Sequence, residues 1–105
     1  MAKNKIEDGQ TIDFTAATAH KSGDLIEVGA LAVVVHQNVE AGEPGVGHVE
    51  GVWSLPKSTA IAIAQGEAVY IKNAVISKDN TGVYAGKAWE SKDAADEEIA
   101  VRINF

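Results

Sequence analysis

The end of the chain alternates apolar and polar side chains more regularly than any other part. Within residues 99–105, apolar side chains stand at every second position: Ile99, Val101, Ile103 and Phe105. A period of two is that of a β-strand with one buried face, and no stretch carries a comparable helical stripe. The pattern predicts a final strand paired in a sheet, and it favours an all-β domain.

Shorter runs with the same character predict further strands. Gly29 stands between two of them and indicates a bend or bulge. In residues 46–53, glycines share one strand face with Trp53 and leave room for something to pack closely. The candidate strands besides the last are residues 10–15, Leu25–Val28, Leu31–Val35, residues 46–53, Ala68–Lys72 and residues 83–89.

Three glycine turns, within residues 8–14, 22–28 and 65–71, each precede an alternating run, which is typical of a meandering barrel or sandwich. Alanine-rich residues 15–21 and 58–65 are candidates for short helices. The fold expected is therefore a small β-barrel or β-sandwich with at most one or two short helices. The expected loops are residues 40–48, residues 76–82 and the charged turn of residues 91–98.

The chain has 105 residues, enough for one hydrophobic core and too few for a second. We expect a single β-rich domain over residues 9–105, preceded by a flexible N-terminal arm, residues 1–8. Hydrophobic residues make up 46% of the chain, but there are only two Trp, two Tyr and two Phe. The core should therefore consist of small and β-branched aliphatic side chains.

The balance of charge disfavours several kinds of partner. Nine basic against fifteen acidic residues give a formal net charge of −6, which repels nucleic acid and anionic membranes. The longest apolar run, residues 30–35, is too short to cross a bilayer, and no signal sequence opens the chain. We expect a soluble protein made in the cytoplasm, binding neither nucleic acid nor membrane.

No pattern for catalysis, metal or cofactor binding stands out. The glycine-rich stretch around Gly45 runs into His48 and Val49 rather than into the Lys-Ser/Thr of a phosphate-binding loop. His48 and Glu50 share a strand face, which a surface hydrogen bond explains as well as a metal does. No serine lies in a nucleophile motif, and cysteine is absent. We expect no enzyme activity, no cofactor, no metal and no small-molecule substrate.

Trp53 and Trp89 each allow two interpretations. In one, the tryptophan closes the core or the edge of a sheet, as Trp53 would beside Leu55 and Pro56. In the other it anchors a contact with another chain, because tryptophan is enriched in buried interfaces. Both interpretations stay open from the residues alone.

Several motifs, spread over nearly the whole chain, resemble the phage capsid cement (head decoration) family. The most specific is Val49-Glu50-Gly51-Val52-Trp53-Ser54-Leu55-Pro56-Lys57, taken together with the start Met1-Ala2-Lys3-Asn4. The others are Gly9-x-x-Ile12-x-Phe14-Thr15-Ala16, Ser22-Gly23-Asp24 and Gln65-Gly66-Glu67-Ala68-Val69-Tyr70. The charged residues 87–98 depart from that pattern. Members are often mistaken for RecA-like recombinases, yet this chain has no Walker lysine.

The resemblance implies a non-enzymatic virion protein, commonly a homotrimer, that binds the major capsid protein on the outside of the phage head and stabilises it. The alternative is another virion or tail-associated structural protein with a small β-barrel. Residues expected at an interface with the capsid or between subunits are Ala2, Lys3, Asn4, Lys5, Ile6, Trp53, Leu55, Pro56 and Trp89. The polar residues before Ile6 suggest an arm that orders on the capsid.

Overall fold

The computed structural model describes residues 9–105, and within them the chain is built from β-strands without a helix. The all-β prediction is therefore confirmed, and no helix of the described part has the length and apolar character to cross a membrane. The nine strands of this part are β1 Thr11–Thr15, β2 Leu25–Val28, β3 Leu31–Val35, β4 Pro44–His48, β5 Val52–Pro56, β6 Ala68–Lys72, β7 Val75–Ser77, β8 Val83–Ala88 and β9 Glu98–Ile103.

The described strands form two antiparallel sheets. The first has four strands in the order β1-β4-β3-β2, and the second has five in the order β5-β9-β8-β6-β7. The second sheet curls until its two edges meet, where the Ser58 N–H donates to the Ile76 carbonyl at 2.9 Å. It is thus a small barrel closed by a short contact, and β3 of the first sheet packs against its strand β8.

The main core consists of the inward-facing side chains of the five-stranded sheet and of side chains from one face of the four-stranded sheet. It is aliphatic, as the composition predicted, because β-branched side chains pack well on a pleated surface. Its buried residues are Leu25, Ala32, Val34, Leu55, Ile63, Val69, Ile71, Ile76, Ala85, Ala88, Ile99, Val101 and Ile103.

A second, smaller cluster covers the other face of the four-stranded sheet. The ring of Phe14 lies over the glycines of β4, where a Cβ on Gly45 would come within 2.8 Å of the ring. A Cβ on Gly47 would overlap the side chain of Val33. The close packing expected at this glycine face is present, and Phe14 is the residue that uses the space above Gly45.

Both helix predictions are wrong. Residues 15–21 and 58–65 instead contain bends and turns, and each forms a bridge to another segment: His20 pairs with Val39, and Ile63 pairs with Lys92. Alanine favours a helix locally, but backbone hydrogen bonds to a neighbouring segment outweigh a propensity that is worth a few tenths of a kcal/mol per residue.

The expected strand over residues 46–53 is in fact two strands in different sheets. The break falls at residues 49–51, where Gly51 has a φ of +102° and the chain crosses from β4 to β5. Two loop predictions overlap strands. The loop expected at residues 40–48 contains β4, and the loop expected at residues 76–82 begins within β7. Gly29 belongs to a tight hairpin turn between β2 and β3, where Val28 pairs with Leu31.

Lys57 is the buried charged residue of the described part, with 3% of its surface exposed. Its ammonium group donates to the backbone carbonyls of Ser58, Ile61 and Asp96, and more distantly to Ala94. An ammonium has three protons to donate and no acceptor, so a ring of carbonyls satisfies it without a carboxylate. Lys57 therefore holds residues 58–61 and 94–96 together at one end of the barrel.

Asn104 joins the two sheets at the end of β9. Its side chain accepts the Ala32 N–H at 3.0 Å and donates to the carbonyls of Ala32 and Val49, both at 2.7 Å. Its φ of +55° also interrupts the alternation of β9. Phe105 was predicted to lie on the buried side with Ile99, but this backbone turn directs it outward, where 54% of its surface is exposed.

Candidate interaction surface

The residues that the sequence singled out lie in different environments. Leu55 is 1% exposed and belongs to the barrel interior, since β5 alternates inward at Trp53 and Leu55. Its side chain packs in the core of the domain. Pro56 is exposed at the end of β5. Ala2, Lys3, Asn4, Lys5 and Ile6 lie outside the described residues.

Trp53 is half-buried and packs against the core. Its indole N–H donates to the Glu50 carbonyl at 2.9 Å, which satisfies the polar atom of the ring inside the molecule. The His48 ring lies over it at a centroid distance of 4.7 Å. Trp53 thus stabilises the connection between β4 and β5, which lie in different sheets. Trp89, by contrast, is 44% exposed on the surface.

His48 also contacts a second imidazole. Nδ1 of His36 and Nε2 of His48 are 3.0 Å apart, a hydrogen bond in which one ring donates and the other accepts. The structure therefore pairs His48 with His36 and Trp53. Among residues 9–105, no group of three or more His, Cys, Asp or Glu side chains converges as a metal site would require.

An exposed apolar surface lies on the outer face of the five-stranded sheet. Within the described residues, the large hydrophobic side chains that are exposed are Val52, Trp89 and Phe105. All three border Arg102: Val52 is its cross-strand neighbour, and its guanidinium group makes cation–π contacts with both aromatic rings. We call Val52, Trp89, Arg102 and Phe105 the aromatic patch.

The geometry of the aromatic patch is well defined. The guanidinium carbon of Arg102 lies 3.8 Å from the ring centroid of Phe105 and 5.5 Å from that of Trp89. The two rings meet edge to face, with centroids 6.1 Å apart at 84°. The backbone N–H of Trp89 donates to the Ala100 carbonyl at 2.8 Å, so β9 holds the backbone that carries the indole ring. Rigid aromatic side chains around a cation are typical of binding hot spots.

A second group of side chains continues this face across the sheet. Lys87 on β8 is the cross-strand neighbour of Arg102. Its ammonium donates to the Tyr84 hydroxyl at 2.6 Å, and that hydroxyl donates to the backbone oxygen of Phe105 at 3.1 Å. The Tyr84 ring in turn meets Tyr70 edge to face at 5.6 Å. Aromatic rings and cations therefore extend over three neighbouring strands.

A β-bulge in β8 determines which side chains this face displays. Val69 pairs with Gly86, but Tyr70 pairs with Tyr84, so Ala85 is an extra residue in β8. Without it, strict alternation would turn Lys87 inward when Tyr84 points outward. The bulge places both Ala85 and Gly86 inside and brings Lys87 to the outer face beside Arg102.

Sequence reasoning identified Trp89 but missed Val52, Lys87, Arg102 and Phe105. For Arg102, the period-two pattern of residues 99–105 already placed the side chain opposite the buried positions. For Phe105, the available signal was Asn104, since asparagine tolerates the left-handed backbone that ends the alternation. The pairing of Lys87 with Arg102 depends on strand register, which a single sequence does not reveal.

Comparison with known proteins yields one match. The family model described as phage cement protein matches residues 6–103, which is nearly the whole chain. No curated protein matches the chain, and no solved structure matches it.

Proposed function

This chain belongs to the phage cement protein family, a family of structural proteins, and we propose that it binds the outer surface of a phage head and stabilises it as a homotrimer. The observation that supports this most is the aromatic patch. The large exposed hydrophobic side chains of the described part lie around Arg102 on one face of the five-stranded sheet. They are Val52, Trp89 and Phe105. Apolar side chains clustered in this way mark contact surfaces.

The size of the molecule suits this role. One specific contact buries about 800 Å² on each partner, a fraction of the 6475 Å² that the chain exposes. Three linked subunits would engage three equivalent sites on the major capsid protein, and such linkage raises avidity by about 10²–10⁴ without new chemistry. A trimer that bridges neighbouring coat subunits opposes their separation when packaged DNA pushes outward.

The N-terminal residues supply a second proposed contact. Ala2, Lys3, Asn4, Lys5 and Ile6 combine two lysines with an apolar end. We propose that this segment orders on the capsid, as polar segments that fold on binding do. Deletion of residues 2–6 should then weaken head binding while the thermal unfolding midpoint of the domain is unchanged. Equal occupancy of heads by the truncated protein would contradict this part of the proposal.

The main experiment is co-sedimentation with purified, expanded heads that lack this protein. The wild type should pellet with heads, and the double variant Trp89→Ala/Phe105→Ala should bind at least about tenfold more weakly, because the anchoring rings are gone. Val28→Ala is the control, since Val28 is a half-exposed apolar residue of the other sheet. Thermal unfolding of each variant establishes that the fold is intact.

The outcomes separate the alternatives. If the wild type fails to pellet with heads but binds purified tails, the protein is a tail-associated structural component and the proposal is wrong. If the double variant and Val28→Ala bind heads as the wild type does, the aromatic patch is not the contact surface. Sedimentation equilibrium of the free protein tests the trimer, with a mass of about three chains of 11.0 kDa expected. The same proposal places the protein on the virion after synthesis in the host cytoplasm.

A further inference from the structure

Two cations of the outer face lie side by side in a chain whose net charge is −6. Lys87 and Arg102 are direct cross-strand partners, and both point outward. Like charges at such positions disfavour the folded state, because the side chains lie close together across the strands. In an acidic protein, two cations at directly paired positions suggest a negatively charged partner that neutralises them.

Within the described residues, neither cation forms an ion pair with an Asp or Glu side chain. The other lysines of the five-stranded sheet and its loops do: Lys72 pairs with Asp79 at 3.9 Å, Lys78 with Glu67 at 3.7 Å and Lys92 with Glu90 at 3.6 Å. Lys57 is buried among carbonyls. Lys87 and Arg102 are held by the hydroxyl and the ring faces of aromatic side chains instead.

The way in which they are held leaves donors available. The cation–π contacts of Arg102 with the two rings do not occupy the N–H donors of its guanidinium group, which lie in the plane of that group. Two of these N–H groups match the two oxygens of a carboxylate. The Lys87 ammonium donates one of its three N–H groups to the Tyr84 hydroxyl, which leaves two as donors for a partner. Both side chains are thus positioned in advance for acidic groups.

We infer that the aromatic patch and Lys87 together bind a carboxylate-bearing surface of the coat protein, with Asp or Glu side chains opposite Lys87 and Arg102. This inference rests on the proposed function and specifies the chemistry of its partner. The apolar rim of Val52, Trp89 and Phe105 excludes water around the ion pairs, which strengthens them. Carboxylates elsewhere on the protein are repelled by the same acidic surface, which favours an approach through this face.

Charge reversal tests the inference with a matched control. Lys87→Glu and Arg102→Glu should each weaken co-sedimentation with heads by at least about tenfold, because attraction becomes repulsion. Lys21→Glu makes the same change of charge at an exposed lysine near the other sheet and should bind as the wild type does. Arg102→Lys keeps the charge but loses the two-pronged geometry, and its affinity should fall between those of the wild type and Arg102→Glu.

Salt dependence gives a second readout. The affinity of the wild type for heads should fall more steeply with added NaCl than that of Arg102→Gln, which lacks the charge. Circular dichroism and thermal unfolding of the free variants establish that folding is preserved. Equal salt slopes for the two proteins would count against ion pairing at Arg102.

The two proposals fail in different ways. A wild type that does not pellet with heads contradicts the proposed function itself. A wild type that pellets, with Lys87→Glu and Arg102→Glu binding as well as Lys21→Glu, contradicts only the inference about carboxylates. If the charge-reversed variants lose their oligomeric state rather than their affinity for heads, the surface binds a second copy of this chain, and the inference is likewise wrong.

Discussion

The inner and outer faces of the five-stranded sheet come from alternate residues of the same strands, yet they are built from different chemistry. On β9, Ile99, Val101 and Ile103 point inward and are at most 2% exposed, whereas Arg102 points outward beside Val52, which is 46% exposed. Both tyrosines, Trp89 and Phe105 also lie on the outer face. The core is aliphatic while the surface carries large aromatic rings.

This difference separates two roles. Folding requires the inner face, because burial of β-branched side chains drives the association of the sheets. The outer rings add little to that burial, since much of their surface remains in water. Exposed aromatic side chains are costly for solubility, so a contact with another molecule is the physical reason that accounts for them best. Substitutions on the two faces should therefore affect different measurements.

The largest effect is expected at the bulge that gives the outer face its arrangement. Gly86 has a φ of +144°, and a Cβ there would overlap the Arg102 carbonyl of the neighbouring strand. Gly86→Ala should lower the free energy of unfolding by about 3 kcal/mol or more, since both backbone strain and a clash within the sheet oppose it. Denaturant-induced unfolding measures this change.

Gly66→Ala is the control for that prediction. Gly66 has a φ of +88°, but a Cβ would meet nothing within 4 Å. Only the backbone penalty of about 1–2 kcal/mol should appear. Equal losses for the two alanine variants would show that the bulge tolerates a side chain and that our explanation of Lys87 is wrong.

A matched pair of valines compares the two faces directly. Val101 is 0% exposed and Val52 is 46% exposed, on paired strands of one sheet. Val101→Ala should cost about 2 kcal/mol of unfolding free energy through lost burial and an internal cavity, while Val52→Ala should stay within about 0.5 kcal/mol. Chemical denaturation gives both values. In head binding, Val52→Ala should lose more affinity than Val101→Ala, provided that both variants remain folded. A large loss of stability in Val52→Ala would contradict the separation of roles.

The smallest effect is expected in the exposed loop after β7. The Thr81 hydroxyl donates to Asp79 and, with the Thr81 N–H and the charge of Lys72, holds the pKa of Asp79 below the ordinary value for an aspartate. Because the pKa of Asp79 is lower in the folded state than in the unfolded state, the ionised carboxylate stabilises the fold at pH values above the unfolded-state pKa. This contribution is lost as the pH falls through the folded-state pKa. Thr81→Val should therefore be slightly less stable than the wild type at neutral pH.

The same difference should shrink when unfolding is measured at about pH 2, where Asp79 becomes protonated. Thr81→Ser keeps the hydroxyl and serves as the control, with wild-type behaviour expected at both pH values. A loss in Thr81→Val that is independent of pH would mean that it comes from packing rather than from the Asp79 hydrogen bond.

Much of the fold could be predicted because alternation is a local signal. Leu25–Val28, Leu31–Val35 and Ala68–Lys72 have the predicted bounds, and the strands ending at Ala88 and Ile103 differ from prediction by a few residues. The helices at residues 15–21 and 58–65 were wrong because their partners are distant in sequence. Ile63, for example, exchanges both of its backbone hydrogen bonds with Lys92.

The candidate surface was less predictable than the fold. Trp89 could be named from its residue type, but its neighbours depend on register, on the bulge at Ala85 and on the turn at Asn104. Leu55 was expected at an interface and is a core residue, since tryptophan at position 53 and leucine at position 55 share the inward face of β5. Pairing between distant strands determines these outcomes, and local patterns do not encode it.

An electron cryo-microscopy map of the decorated head tests the central claim most directly, since it shows which face of the sheet meets the coat. We predict that Trp89, Arg102 and Phe105 lie against the coat protein, with an Asp or Glu side chain within about 3 Å of the Arg102 guanidinium. A map in which these side chains face solvent while another surface contacts the head would contradict the account.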